Sequence, residues 1–212
     1  YLLLDTDAGS ALLHLGMSGC LRVLPPTTPV GTHDHVDLVF GRTQVLRFTD
    51  PRRFGSLLWQ PTGETHPLLQ SLGPEPLSDA FDGDWLFALS RGRKAPVKAF
   101  VMDQAVVVGV GNIYVAEALF AAGISPLRPA GRISRERYQV LADEIKRILQ
   151  YAISRGGTTL RDFLSPDSQP GYFEQELSAY GRGGEPCPRC RRPMKQATIA
   201  QRATVWCGHC QR

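Results

Sequence analysis

The chain has 212 residues, 42% of them hydrophobic and 21% charged, and a formal net charge of +4. That composition belongs to a globular protein large enough for one or two real cores. No apolar run approaches the roughly 20 residues a membrane helix needs, and the opening YLLLDTDAGS has neither the basic segment nor the cleavage site of a secretory signal. The charge is unevenly placed. From Tyr180 to Arg212 seven Lys/Arg face Glu185 alone, a net +6, which leaves −2 for everything before. A basic tail on a near-neutral body fits a polyanionic partner, nucleic acid ahead of acidic membrane, or else a solvated basic surface.

In chain order, residues 1 to about 60 read as β. YLLLDTD and SALLHLG flank a turn at Ala8-Gly9, and HVDLVF and TQVLRFTD flank another at Gly41-Arg42. Short strands at this spacing predict an antiparallel sandwich or barrel. Residues 61–83, rich in Pro, Gly and Asp, read as loop. From about 84 the period turns helical. DWLFALS predicts a short helix, RGRKAPVKAFVMD leads into another, and a third begins at Asn112 and ends at Gly123. The longest runs from Ser134, an N-cap, to about Arg155, and Gly156-Gly157 stops it. Its buried stripe is Tyr138, Leu141, Ile145, Ile148, Leu149 and Ala152. A loop, SPDSQPGYF, then precedes the tail.

The tail reads Cys-x2-Cys, sixteen residues, Cys-x2-Cys, with Cys187, Cys190, Cys207 and Cys210 as the four thiols. Thiolates two apart on a tight turn grip one tetrahedral ion, and a second such turn completes a four-sulfur zinc site. The alternative is two disulfides or free thiols. A zinc ion closed by four sulfurs has no open position for water, so it is structural, one per chain. It would hold the hairpin KQATIAQRATVW with Arg202 at or near the tip, a cation aimed at phosphate. His209 is a spare candidate ligand, and Cys20 reads as a small buried residue. HDH (33–35) with Asp37 invites a second metal reading, which strand alternation opposes by separating the side chains.

Several long motifs resemble those of the formamidopyrimidine-DNA glycosylase family. They are HLGMSG (14–19), HDHVD (33–37), TDPRRFG (49–55), GVGNIYVAEALF (109–120), GGTTLRDF (156–163), PGYF (170–173), YGRGGEPCPRC and AQRATVWC. The resemblance spans essentially the whole chain in the family's order. It implies an α+β fold: an N-terminal antiparallel β-sandwich, incomplete in this sequence, then a C-terminal helix–two-turn–helix domain with a four-cysteine zinc finger. The boundaries expected are 1–83, 84–174 and 175–212. It also implies a bacterial, cytoplasmic, nucleoid-associated monomer that binds damaged double-stranded DNA in a cleft between domains, with no membrane partner, and removes oxidised purines such as 8-oxoguanine.

A glycosylase must extrude its target nucleotide and fill the space left behind. Met17, Arg52 and Phe54 match the family's filling triad, an apolar wedge with a donor for the orphaned cytosine. Read without the family, they are a core Met, a turn Arg paired with Asp50 and a core Phe. The glycines before Asn112 present a helix N-terminus to phosphate. His33, Arg93 and Lys98 match positions that touch DNA or sit beside the lesion, and Tyr180 and Arg202 match zinc-module phosphate contacts. Arg202 also matches a catalytic residue assigned as proton donor in the second elimination, although an arginine is a poor acid in water. The loop 165–173 matches a cover over the extruded base, or is a plain surface loop.

The family's nucleophile is an N-terminal proline amine beside a glutamate, with a lysine just before the stretch YLLL; none of these precedes Tyr1 here. The chain as written is therefore expected to lack catalysis, to expose the edge of its first strand and to be poorly soluble. Two other readings stay open, a non-catalytic zinc-ribbon DNA-binding fragment and an endonuclease VIII-type glycosylase for oxidised pyrimidines. Met17 and the DPRRFG loop count against the latter.

Overall fold

The computed structural model describes residues 1–156 and 177–212. It divides into two compact units, the first over Tyr1–Gln70 and the second from Ser71 onward. The loop expected at 165–173, the end of the motif GGTTLRDF and Gly157 lie outside the described residues.

The first unit holds two three-stranded antiparallel sheets. β1 (Leu2–Thr6), β2 (Gly9–His14) and β6 (Ser56–Pro61) form one in the order β1-β2-β6. β3 (Cys20–Leu24), β4 (Asp34–Phe40) and β5 (Gln44–Thr49) form the other, with β5 central. Both expected turns are present, between β1 and β2 and between β4 and β5. Leu12, Leu13, Val45 and Phe48 are buried. So is Arg47, whose guanidinium donates to Asp37 (2.8 Å) and Asp34 (3.3 Å) and to the carbonyls of Thr28 and Pro29. The carboxylates that suggested a second metal are thus engaged by an arginine, which offsets their desolvation and holds both below the usual Asp range. For Asp34, burial pushes up but is outweighed by Thr49, Gly31 and Arg47; for Asp37, the hydrogen bond from Arg47 leads. A single turn, α1 (Pro67–Gln70), interrupts the expected loop.

The second unit is helical with a terminal hairpin. α2 (Gly83–Ser90) starts at Asp82, whose side chain accepts from Trp85 N–H. α3 (Val97–Val101) and α4 (Asn112–Ala121) follow, and Gly123 after α4 has φ +67°, which a glycine takes without strain. α5 (Arg135–Ser154) is capped by the Ser134 hydroxyl as expected, and the whole predicted stripe from Tyr138 to Ala152 is buried. Leu141 and Ile145 are each at most 1% exposed, so each contributes about 1.5–3 kcal/mol by burial and truncation to Ala costs about 2–5 kcal/mol. α5 lies against α2 and α4 in one core with Phe81, Val97, Phe100 and Val110. No helix among the described residues is long and apolar enough to cross a membrane.

The hairpin comprises β7 (Lys195–Ile199) and β8 (Arg202–Trp206), paired antiparallel with Ile199 opposite Arg202. The two turn residues, Ala200 and Gln201, both have positive φ, 47° and 61°. That is the two-residue left-handed turn whose twist matches the strands.

Candidate nucleic-acid interface

Four sulfurs come together at the base of the hairpin. The ligand atoms of Cys187, Cys190, Cys207 and Cys210 all lie within 4.8 Å of one another, with Cys190 and Cys207 Sγ 3.5 Å apart and Cys187 and Cys210 Sγ 4.0 Å apart. A tetrahedron of thiolates at ~2.3 Å from zinc sets sulfurs ~3.8 Å from each other, so the cluster fits one ion without rearrangement. His209 is not part of it; its ring meets Arg192 at 3.0 Å. Cys20 is half-buried and stands apart in β3. The site is structural, and its small core is completed from α4. Phe120 is buried with Ala179, Met194 and Val205, and the guanidinium of Arg189 lies 4.7 Å from its ring centroid.

The frame fixes two cations of different fate. Arg202, the first residue of β8, is exposed beside the turn, as expected of a phosphate contact. Lys98, expected to touch DNA or the lesion, is 1% exposed. Its ammonium donates to Thr204 Oγ1 (2.6 Å) and to the Ala203 carbonyl (2.9 Å), and so ties α3 to the strand carrying Arg202. Burial, then the Arg202 guanidinium nearby, brings its pKa down to about 8. A buried ammonium is tolerated only where acceptors replace its water, and the hairpin supplies two.

A third anchor gave no signal in the sequence. Glu117 on α4 is buried, and its carboxylate accepts from the peptide N–H groups of Ser178 (2.9 Å), Ala179 (2.9 Å) and Tyr180 (2.8 Å). Three convergent N–H groups form an anion nest, and here a side chain from α4 fills it and positions Tyr180. At the start of α4, Gly111 is the N-cap with no side-chain hydrogen bond to the helix, and Asn112 Oδ1 is buried without a hydrogen-bond partner. No side chain therefore caps this helix N-terminus, and the unpaired Asn112 atom is an acceptor. Arg93 is exposed; its backbone bonds Ser90 and Gly131.

In the first unit, Met17 and Phe54 are 55% and 58% exposed. They are not the core residues that the reading made without the family had them be. The Arg52 guanidinium lies 5.0 Å from the Phe54 ring centroid, a cation–π contact rather than an ion pair with Asp50. The loops carrying Met17 and Phe54 touch through backbone, because a Cβ on Gly16 would fall 2.7 Å from the Phe54 carbonyl carbon. Both loops also close over the buried ring of Phe48, which leaves no room for a Cβ at Gly19 or Gly55. His33 is exposed on the segment before β4.

An antiparallel β unit with an exposed Met-Arg-Phe cluster, joined in one chain to a helical unit with a four-cysteine ribbon, defines a class of nucleic-acid-binding protein. Family models match each part. The formamidopyrimidine-DNA glycosylase N-terminal domain covers residues 1–57, the formamidopyrimidine-DNA glycosylase H2TH domain 72–164, and the zinc finger found in FPG and IleRS 184–212. The chain belongs to the formamidopyrimidine-DNA glycosylase family. The formamidopyrimidine-DNA glycosylase of Stenotrophomonas maltophilia strain K279a is 75% identical over 212 residues, all of this chain and 78% of the relative. That of Xanthomonas campestris pv. campestris strain B100 is 70% identical over 213 residues, again all of this chain and 79% of the relative. Among solved structures, the MutM (Fpg) protein from Thermus thermophilus superposes with a TM-score of 0.85 at 39% identity, covering 97% of this chain and 76% of that one. A MutM in complex with carbocyclic 8-oxo-G containing DNA gives 0.88 at 33% identity, covering 100% and 78%.

Proposed function

We propose that this chain recognises oxidised purines in double-stranded DNA, 8-oxoguanine and formamidopyrimidines, by extruding the damaged nucleotide. Met17 and Phe54 fill the vacated stack and Arg52 pairs with the orphaned cytosine. The observation that carries this reading is the Met-Arg-Phe cluster itself: two large apolar side chains exposed on loops whose backbones touch, with a guanidinium against one of them. Exposed apolar groups on a rigid support need a partner that buries them, and a wedge between base steps does so. The solved relatives in complex with 8-oxo-G or Fapy-dG containing DNA support the substrate class.

Phosphates are held from the second unit in this reading. The open N-terminus of α4 and Asn112 take one; Tyr180, set by Glu117, and Arg202, set by the zinc hairpin, take the strand beside it. His33 and Arg93 add contacts along the backbone, and Lys98 contributes through the hairpin it holds. Arg202 acts as a phosphate clamp ahead of a proton donor, since a guanidinium surrenders its proton reluctantly.

The chemistry would be glycosylase with AP lyase: an amine attacks the sugar C1′, the base leaves, and the iminium drives strand elimination. The amine is an N-terminal proline with an adjacent glutamate, and neither stands in these 212 residues. In this reading a monomer binds the damaged DNA. The setting is the bacterial cytoplasm, on nucleoid DNA. The test is equilibrium binding of the zinc-loaded chain to 8-oxoguanine:cytosine duplex and to undamaged duplex, with borohydride trapping alongside. Salt-sensitive binding that favours the lesion is the expected result, and a trapped adduct reports the lyase step separately. Equal affinity for both duplexes would leave only a zinc-ribbon DNA binder.

A further inference from the structure

Asp50 is 1% exposed, and it is bound on every side by the segments that carry the wedge. Its Oδ1 accepts from the Ser18 hydroxyl at 3.0 Å, next to Met17, and its Oδ2 accepts from the peptide N–H of Gly55 at 2.7 Å, next to Phe54. Its own N–H donates to the His33 carbonyl at 2.9 Å, and its carbonyl meets the His35 ring nitrogen at 2.9 Å. Three separate stretches of chain, 17–19, 33–35 and 50–55, thus meet at one residue. Burial alone would push the carboxyl up. The hydrogen bonds from Gly55, Ser18 and the Arg52 and Arg53 peptides outweigh it and hold the pKa below the usual Asp range.

The turn it spans is not relaxed. Arg53 has φ +54°, a left-handed conformation that an arginine keeps only where its surroundings enforce it. The N–H of Gly55 turns inward to the buried carboxylate, while that of Arg53 meets the Asp50 main-chain carbonyl at 3.4 Å.

We propose that Asp50 is the positioning residue of the wedge: through hydrogen bonds to Ser18, His33 and Gly55 it fixes Met17, Arg52 and Phe54 in one rigid cluster, so that recognition of the base opposite the lesion depends on it. Asp50 touches no DNA in this scheme. The proposal rests on the void-filling reading above, and its test must separate the two.

The test uses the zinc-loaded chain and a duplex carrying a tetrahydrofuran abasic-site analogue opposite cytosine or adenine, with binding measured at one salt concentration. Asp50→Ala is expected to reduce the cytosine-over-adenine preference about as far as Arg52→Ala does, on the order of tenfold, while binding to undamaged duplex changes less than twofold. Asp50→Asn can turn its oxygen to Gly55 N–H and its amide to Ser18, so it restores part of the preference. Such rescue is not expected of a residue that only supports the fold in bulk. Should Asp50→Ala fail to fold, as shown by a lost unfolding transition, Ser18→Ala carries the test with an expected drop of about threefold. Asp50→Ala, or in its place Ser18→Ala, with the wild-type preference overturns the proposal while Arg52→Ala still lowers it. If Arg52→Ala leaves the preference intact, the void-filling reading falls and takes this proposal with it.

Discussion

The two units solve the same problem with groups of opposite charge. In the β unit, Arg52 stands on a turn whose Gly55 N–H points inward, and a buried carboxylate, Asp50, accepts it together with the Ser18 hydroxyl. In the zinc unit, Arg202 stands on a strand whose neighbouring oxygens, Ala203 O and Thr204 Oγ1, point inward, and a buried ammonium, Lys98, gathers those. Each exposed guanidinium is placed by an ionised side chain that never reaches the surface. The ends differ in what else supports them. The β unit relies on close backbone approach at Gly16, Gly19 and Gly55, whereas the hairpin adds four thiolates. A cation that must discriminate between bases needs angular precision from packed loops. One that clamps phosphate needs only a stiff frame.

The largest effect should come from removing the metal. Cys207→Ser, or a chelator, removes a ligand set that contributes on the order of 10 kcal/mol to folding in small zinc modules. We expect zinc to be lost, the hairpin to loosen and DNA binding to fall at least tenfold while the β unit stays folded. Metal analysis and limited proteolysis check this, and zinc-free protein that binds DNA normally would remove the frame from the comparison. Next in size is Glu117→Ala, which strands three N–H donors in a buried nest. Its expected cost is about 3 kcal/mol by denaturant unfolding, with Glu117→Gln recovering part of it.

The sharpest separation of the units is smaller in energy. Arg52→Ala should weaken discrimination of the opposite base by about 1–3 kcal/mol. Asn112→Ala and Arg202→Ala should weaken binding about equally for every opposite base, because phosphate contacts carry no sequence information. Equal loss across opposite bases for Arg52→Ala would erase the functional difference between the units.

What could be read from the sequence was what is local. The zinc ligands announce themselves at a spacing of two, Ser134 caps α5 three residues before the N–H it satisfies, and the stripe on α5 repeats with the helical period. The anchors are non-local. Lys98 meets partners 105 and 106 residues away, Glu117 meets peptides 61–63 residues away, and Asp50 meets Ser18 across 32. Such pairs leave no periodic mark. Lys98 reads as one more surface cation, and Asp34 and Asp37 read as open carboxylates until Arg47 is seen between them. The family resemblance named Met17, Arg52, Phe54 and Arg202, which face outward, and Lys98, which does not; it took the fold to tell them apart.

A pH titration tests the buried ammonium directly. Lys98 has its pKa lowered to about 8 in the folded chain, against 10.5 for the free side chain. Below pH 8 it is protonated in both states, so it adds no pH dependence. Between about 8 and 10.5 the folded form gives up its proton while the unfolded chain keeps it. The unfolded state then binds more protons, and stability rises with pH across that window. Losing the charge relieves the cost of desolvation and the repulsion from Arg202, while the neutral amine still donates to Thr204 and Ala203. Lys98→Met cannot titrate. The stability of wild type relative to Lys98→Met, from urea midpoints at pH 7, 9 and 10, should therefore grow in favour of wild type as pH rises. A difference that stays flat from pH 8 to 10 would mean that the ammonium keeps its water in the folded chain.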